Sequence, residues 1–202
     1  MENNDIRVEI PQKLYDRIEK DVVQLHIELG LSVPVDAYEV ARKLGFCVIR
    51  FSELDLSDAD LRALRNAGRM GVKKREGLSI YDSKENTYVI YINDIDSSCE
   101  EHDAFTIMHE IGHIRMNHKV DSVLAEMVAN YYAGYALVPS PLLGMYNCQS
   151  ANDIIKYFNV SWKCASICLQ RYFYWDMYSR KMKKYEEQLI EYYENKIGEK
   201  SL

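Results

Sequence analysis

No stretch of this 202-residue chain offers eighteen consecutive apolar residues, the run a helix needs to cross the hydrocarbon of a bilayer. The most apolar region, Tyr131 to Tyr146, is interrupted by Pro139 and Pro141 and contains serine and glycine, so no membrane span is expected. The amino terminus, Met-Glu-Asn-Asn-Asp, has neither the basic start nor the apolar segment of a secretory signal. None of the five cysteines, at positions 47, 99, 148, 164 and 168, stands in a Cys-x-x-Cys pair. An odd and scattered set suits reduced thiols in a cytoplasmic protein, and no disulfide is expected. Cys164 and Cys168 are one helical turn apart, but with no further soft ligand beside them their expected use is packing rather than metal binding. Positive charge is also short: the net charge is -6, against a nonspecific grip on nucleic acid, which needs a basic surface to displace counterions. A basic protein segment is the easier partner.

With 48% apolar and 28% charged residues, the chain can bury one good core and is short for two, so a single domain spanning 1–202 is expected. Its most informative stretch is Phe105 to His118, Phe-Thr-Ile-Met-His-Glu-Ile-Gly-His-Ile-Arg-Met-Asn-His, with a His-Glu-x-x-His pattern at His109-Glu110-Ile111-Gly112-His113. Helical positions four apart share a face, so the imidazoles of His109 and His113 can converge on one Zn2+ ion. Glu110 sits about a hundred degrees round the same helix, placed to take a proton from a water on the metal without ligating it. The pattern arises by chance in on the order of one in a hundred chains of this length, so its surroundings matter. Ala104, Ile107, Ile111 and Ile114 gather opposite the histidines, which gives the helix one core face and one chemical face. Ser97 or Ser98, with Glu100 or Glu101, supplies a capping box for its start.

Two imidazoles leave a hydrolytic zinc short of one protein ligand. In the next helical stretch, Ser122 to Leu137, residues Glu126, Ala129, Asn130, Ala133 and Leu137 share a side, so the carboxylate lies among small residues that permit close helix approach. Glu126 is the expected third ligand, and Asn130, one turn on, is placed to hydrogen-bond a ligand histidine. His118, with Asp121, is the rival. His102 faces the same way as His109 but lies roughly 10 Å along the axis, too far to share the ion and placed to line the cleft.

The run Phe-Thr-Ile-Met-His-Glu-Ile-Gly-His, followed by Glu126-x-x-Ala129-Asn130-x-Tyr132-Ala133 and Leu137-x-Pro139, resembles the ImmA/IrrE family of zinc metallopeptidases. The likeness is carried by residues 77 to 139, with weaker similarity at Asp36 to Phe51 and Asp153 to Ser161. Tyr132 stands where the family usually has Phe, and Met108 where a smaller residue is common. The resemblance implies an α+β, compact zincin-like fold: a small three-stranded, mainly antiparallel sheet against several helices, with a catalytic core in 1–145 and a helical part in 146–202. It also implies a zinc endopeptidase whose substrate is a helix-turn-helix repressor, here separately encoded because no amino-terminal DNA-binding domain is visible.

The remaining pattern predicts helices over Pro11 to Leu29, Pro34 to Leu44 and Ser57 to Ala67, and a strand over Phe46 to Phe51. Residues 68–75 form a basic cluster between two glycines, read as a solvated loop. Leu78 to Tyr81 and Tyr88 to Ile92 form a hairpin just before the metal helix, which either floors the core or, as in zincin-like folds, adds a substrate strand. Its tyrosines, and His118, are candidates for stabilising an oxyanion. Lone His26 reads as a packed or solvated residue. A turn-rich segment follows Pro139. Helices over Ser150 to Phe158 and from Ser161 onward then make a corner reminiscent of a helix-turn-helix, but Ser161 to Cys168 holds only Lys163 as a cation, against DNA binding. The tail, Met177 to Ile197, is a helix whose stripe of Tyr178, Met182, Tyr185, Leu189 and Tyr192 covers either this chain or a partner.

Overall fold

In a computed structural model, residues 9–66, 76–96, 99–178 and 181–199 are described. Helix α1 (Gln12–Glu28) starts after Pro11 and ends where Gly30 turns left-handed at φ +62, a conformation glycine adopts without strain. Its stripe of Ile18, Val22 and Leu25 is buried. In α2 (Ala37–Lys43) the Asp36 carboxylate accepts the Glu39 amide and caps the first turn. Strand β1 (Cys47–Arg50) and helix α3 (Asp58–Asn66) follow, and the basic cluster at 68–75 lies outside the described residues.

Strands β2 (Gly77–Asp82) and β3 (Thr87–Ile92) form the antiparallel hairpin, with Tyr81 opposite Tyr88. Strand β1 lies on the other side of β3 and runs parallel to it, giving a mixed sheet in the order β1-β3-β2. The connection from β1 passes through α3 before the hairpin, a crossover of the kind parallel pairing requires. Central β3 buries Ile90 and Ile92, and β2 is left at an edge.

The metal-motif helix α4 (Glu100–Arg115) packs along α5 (Val123–Leu137). Ser97 and Ser98 lie outside the described residues, and the cap position of α4 is Cys99, whose side chain makes no capping bond. Helix α5 is capped by Ser122, whose hydroxyl accepts the Ala125 amide. The segment after Pro139 is not all turn: Ser140–Met145 is a short helix, α6, with Pro141 in its first turn, where a missing N–H costs no bond. Helix α7 (Ala151–Phe158) ends at left-handed Asn159, and α8 (Trp162–Tyr178) follows. This corner turns Ile154, Phe158, Val160 and Cys164 into the core. The last helix, α9, spans Lys184–Glu199 rather than starting at Met177. Glu186 sets its start by accepting the Lys183 amide and the Trp175 indole N–H.

The tail stripe covers this same chain. Leu189 and Tyr193 are buried, Tyr185 and Tyr192 are half-buried, and Tyr178 stays exposed at the end of α8. Carboxylates of α1 tie the layers together. Asp21 accepts both Arg115 Nε, at 2.6 Å, and Arg115 Nη2, at 2.8 Å, and also the Tyr132 hydroxyl. The hydroxyl that distinguishes Tyr132 from phenylalanine thus joins α5 to α1. Glu19 accepts Tyr131, Tyr185 and Lys183.

His26 is fully buried between α1, α5 and α9: Nε2 donates to the Ala136 carbonyl and Nδ1 accepts the Tyr193 hydroxyl, both at 2.9 Å. Burial pushes its pKa down to about 4, so below the ordinary value the unfolded chain takes up a proton that the folded chain refuses. Stability is therefore lost as pH falls from about 6.5 toward 4. Denaturant titrations at pH 7 and 4.5 should show the wild type losing about 2 to 3 kcal/mol more than His26→Gln. Equal losses would contradict this.

Gly112 fixes the spacing of α4 and α5. A Cβ there would meet Tyr132 Cβ at 2.9 Å and Cγ at 3.0 Å, and the first of these atoms moves only with the backbone of α5. Gly112→Ala gains about 1 kcal/mol of helix propensity but overpacks the interface by about 1 to 3 kcal/mol. The expected result is a lowered melting temperature, read by scanning calorimetry; an unchanged or raised one would contradict it.

Candidate metal centre

Helix α4 presents His109 and His113 toward α5 while Ile107 and Ile111, both fully buried, hold its other side in the core. Glu126 comes from the first turn of α5, aimed across the interface that Gly112 keeps narrow. The Nε2 atoms of His109 and His113 are 3.0 Å apart, and each lies 3.4 Å from one oxygen of Glu126. This is the group of His, Cys, Asp and Glu side chains that can hold a metal ion among the described residues. The two imidazoles hold the Glu126 carboxyl well below the usual carboxylate range, against the opposing effect of burial, so it meets a cation as an anion.

Neighbours orient the ring nitrogens. His109 Nδ1 lies 3.1 Å from Asn130 Oδ1 and donates to it, which leaves Nε2 with its lone pair toward the donor group. His113 Nδ1 lies 3.0 Å from His118 Nδ1, and with His113 Nε2 kept as a lone pair the Nδ1 proton points to His118. Burial, and then neighbouring His113, push His118 down to about 4, a neutral ring able to accept that bond. The structure therefore brings Glu126, not His118, to the facing pair of imidazole nitrogens, and Asp121 is exposed.

Glu110 is nearly fully buried, and its Oε2 accepts the Ser79 hydroxyl of β2 at 2.9 Å. It is not part of the donor group. The Ser79 bond is a link the sequence reading missed; alternation along β2 could have flagged it, because Gly77 and Ser79 share a face. A Cβ at Gly77 would come within 2.6 Å of Thr106 Cγ2 and 3.5 Å of Glu110 Cγ, so glycine lets this strand lie close to α4. Two of the hairpin tyrosines are engaged within the hairpin and its neighbour Phe46. Tyr81 donates to Asn86 at the hairpin turn, and Tyr88 packs edge-on against Tyr81 and Phe46. His102 lines a cavity of about 460 Å³ that also includes Asn130 and so opens beside the donor group without containing it.

A mixed sheet backing a helix that carries His-Glu-x-x-His, with a carboxylate from the following helix, defines a metallopeptidase-like centre. The family model described as an IrrE N-terminal-like domain, of the peptidase M78 family, matches residues 48–167, more than half of the chain. The chain belongs to this peptidase family. Among curated proteins, none matches it in sequence. No helix among the described residues is long and apolar enough to cross a membrane.

Proposed function

We propose that this protein is a zinc-dependent endopeptidase, with His109, His113 and Glu126 as metal ligands, Glu110 as general base and Asn130 holding His109. The observation that carries the reading is the convergence of donors from two helices: one ligand atom from each of His109, His113 and Glu126 lies within 4.8 Å of the others. His109 Nε2 is 3.4 Å from Glu126 Oε2 and His113 Nε2 is 3.4 Å from Oε1, so each carboxylate oxygen faces one imidazole, at a scale that suits one small divalent ion. Two imidazoles and one carboxylate are also a donor set of catalytic zinc, with one position left for water or substrate. Zinc bound there supplies a Lewis acid and brings the pKa of its water near neutrality.

The chain's own residues do the rest. Glu110, steadied by the Ser79 hydroxyl, takes the proton of the attacking water and delivers it to the leaving amine. The edge of β2, which carries Ser79 and is unpaired among the described residues, is a strand on which an extended peptide could add beside Glu110. By family resemblance the substrate is a separately encoded helix-turn-helix repressor in the cytoplasm, and cutting it regulates a mobile element or a stress response.

A non-catalytic protein that docks on the same regulator is the rival. Incubating freshly purified, metal-analysed protein with candidate repressors separates them. The peptidase reading expects about one zinc per chain and a discrete, chelator-sensitive cut. Equal effects of wild type and Glu110→Ala on the repressor would establish docking without proteolysis.

A further inference from the structure

The cavity beside Asn130 runs between the first half of α4, the middle of α5 and α8, and Arg171 of α8 lies in its wall. The guanidinium is half-buried, 4.7 Å above the Tyr131 ring. Glycine at position 134 makes room for it: a Cβ there would lie 2.9 Å from Arg171 Nη1. The two thiols nearest the seat, Cys164 and Cys168, are weak acceptors, and Cys168 Sγ is turned to the Gly134 carbonyl. Glu76 and Glu101 also line the cavity, yet among the described residues neither comes within ion-pair distance of Arg171, and Lys163 adds a second cation to the same wall.

A planar fork of N–H donors, set into a concave surface with its own carboxylate partner lacking among the described residues, matches a carboxylate bidentately. Stacking on Tyr131 holds the plane of the fork, so little side-chain freedom is lost when an anion arrives. The cavity meets the metal centre through Asn130, whose Oδ1 is bonded to His109. Asn130 thus faces the cavity of Arg171 and the imidazole of His109 at once.

We propose that this cavity is a specificity subsite in which Arg171 binds a carboxylate of the peptide ligand. The carboxylate is an acidic side chain flanking the bond at the metal, or the ligand's own carboxyl terminus. The assignment rests on the peptidase reading for where the peptide lies, but it concerns binding, so it is testable without turnover.

The test measures fluorescence anisotropy of dansyl-labelled octapeptides on the zinc-loaded Glu110→Gln protein, which keeps peptides uncut. One set consists of amides of a neutral sequence with a single glutamate moved through each position. A second carries glutamine there, and a third is the glutamine peptide with a free carboxyl terminus. At one position of the glutamate set, or for the free terminus, binding should be about ten- to a hundredfold tighter than for the glutamine amide, and which arm gains identifies the source of the carboxylate. Arg171→Met, which keeps the stem, should remove the gain. So should Gly134→Ala, which keeps every charge and favours the helix while displacing the guanidinium. No carboxylate-dependent gain in the parent protein, or a gain that survives both substitutions, overturns the subsite. Cleavage by the Glu110-containing protein is read separately, so a failed subsite and a failed peptidase give different results.

Discussion

Glu110→Gln is expected to leave metal content and melting temperature close to wild type while slowing peptide cleavage by about 10²- to 10⁴-fold. The separation of the two effects follows from where the side chain sits. Glu110 is not among the three donors that face one another across α4 and α5, so an amide in its place leaves the ion's ligands untouched. The residue is almost fully buried and accepts the Ser79 hydroxyl, a bond that glutamine's carbonyl oxygen takes over without change of shape. What glutamine cannot do is accept a proton from water and return it to the departing nitrogen. Single-turnover cleavage with metal analysis on the same samples reads both quantities. A glutamine variant that cuts at the wild-type rate would remove Glu110 from the chemistry, and one that loses its metal would show the residue to be a ligand.

The parts of this centre that sequence made legible are those governed by helical spacing. His109 and His113 follow from a four-residue interval, and Glu126 from being the one carboxylate on a helix face otherwise built of small residues. Asn130 follows one turn later, and all four meet where the geometry put them. Contacts set by tertiary approach were harder to read. That His118 would turn to His113 rather than to the ion depends on how α4 ends at left-handed Asn117, and Ser79 reaches Glu110 because Gly77 lets β2 lie against α4. Strand β1 could be recognised as a strand from Val48 and Ile49, but not its parallel pairing, since direction is fixed by the crossover through α3. The short helix after Pro139 was masked by residues that usually signal turns, although proline in a first turn is compatible with a helix. The division of the carboxy-terminal stripe into α8 and α9 depends on Glu186 capping Lys183, which apolar periodicity does not register.

Glu126→Ala should abolish high-affinity metal binding, with zinc affinity reduced by on the order of a thousandfold or more. That exceeds the 10- to 100-fold expected when a partner such as Asn130 is removed from behind a ligand, because here a donor itself is lost. It also removes the anion that the two imidazoles hold in its charged form, leaving two imidazoles 3.0 Å apart with no carboxylate to offset a divalent ion. The readout is thermal unfolding with and without zinc. A ligand bound only by the folded state, present at about a thousandfold over its dissociation constant, stabilises by about 4 kcal/mol. For a chain of this size that is a rise of roughly 10 °C. The wild type should show this rise, Asn130→Ala about one to two thirds of it, and Glu126→Ala almost none at the same zinc concentration. If Glu126→Ala kept the full rise, the third ligand would have to come from the other side of His113, where His118 is already in contact, and α5 would lose its part in the centre.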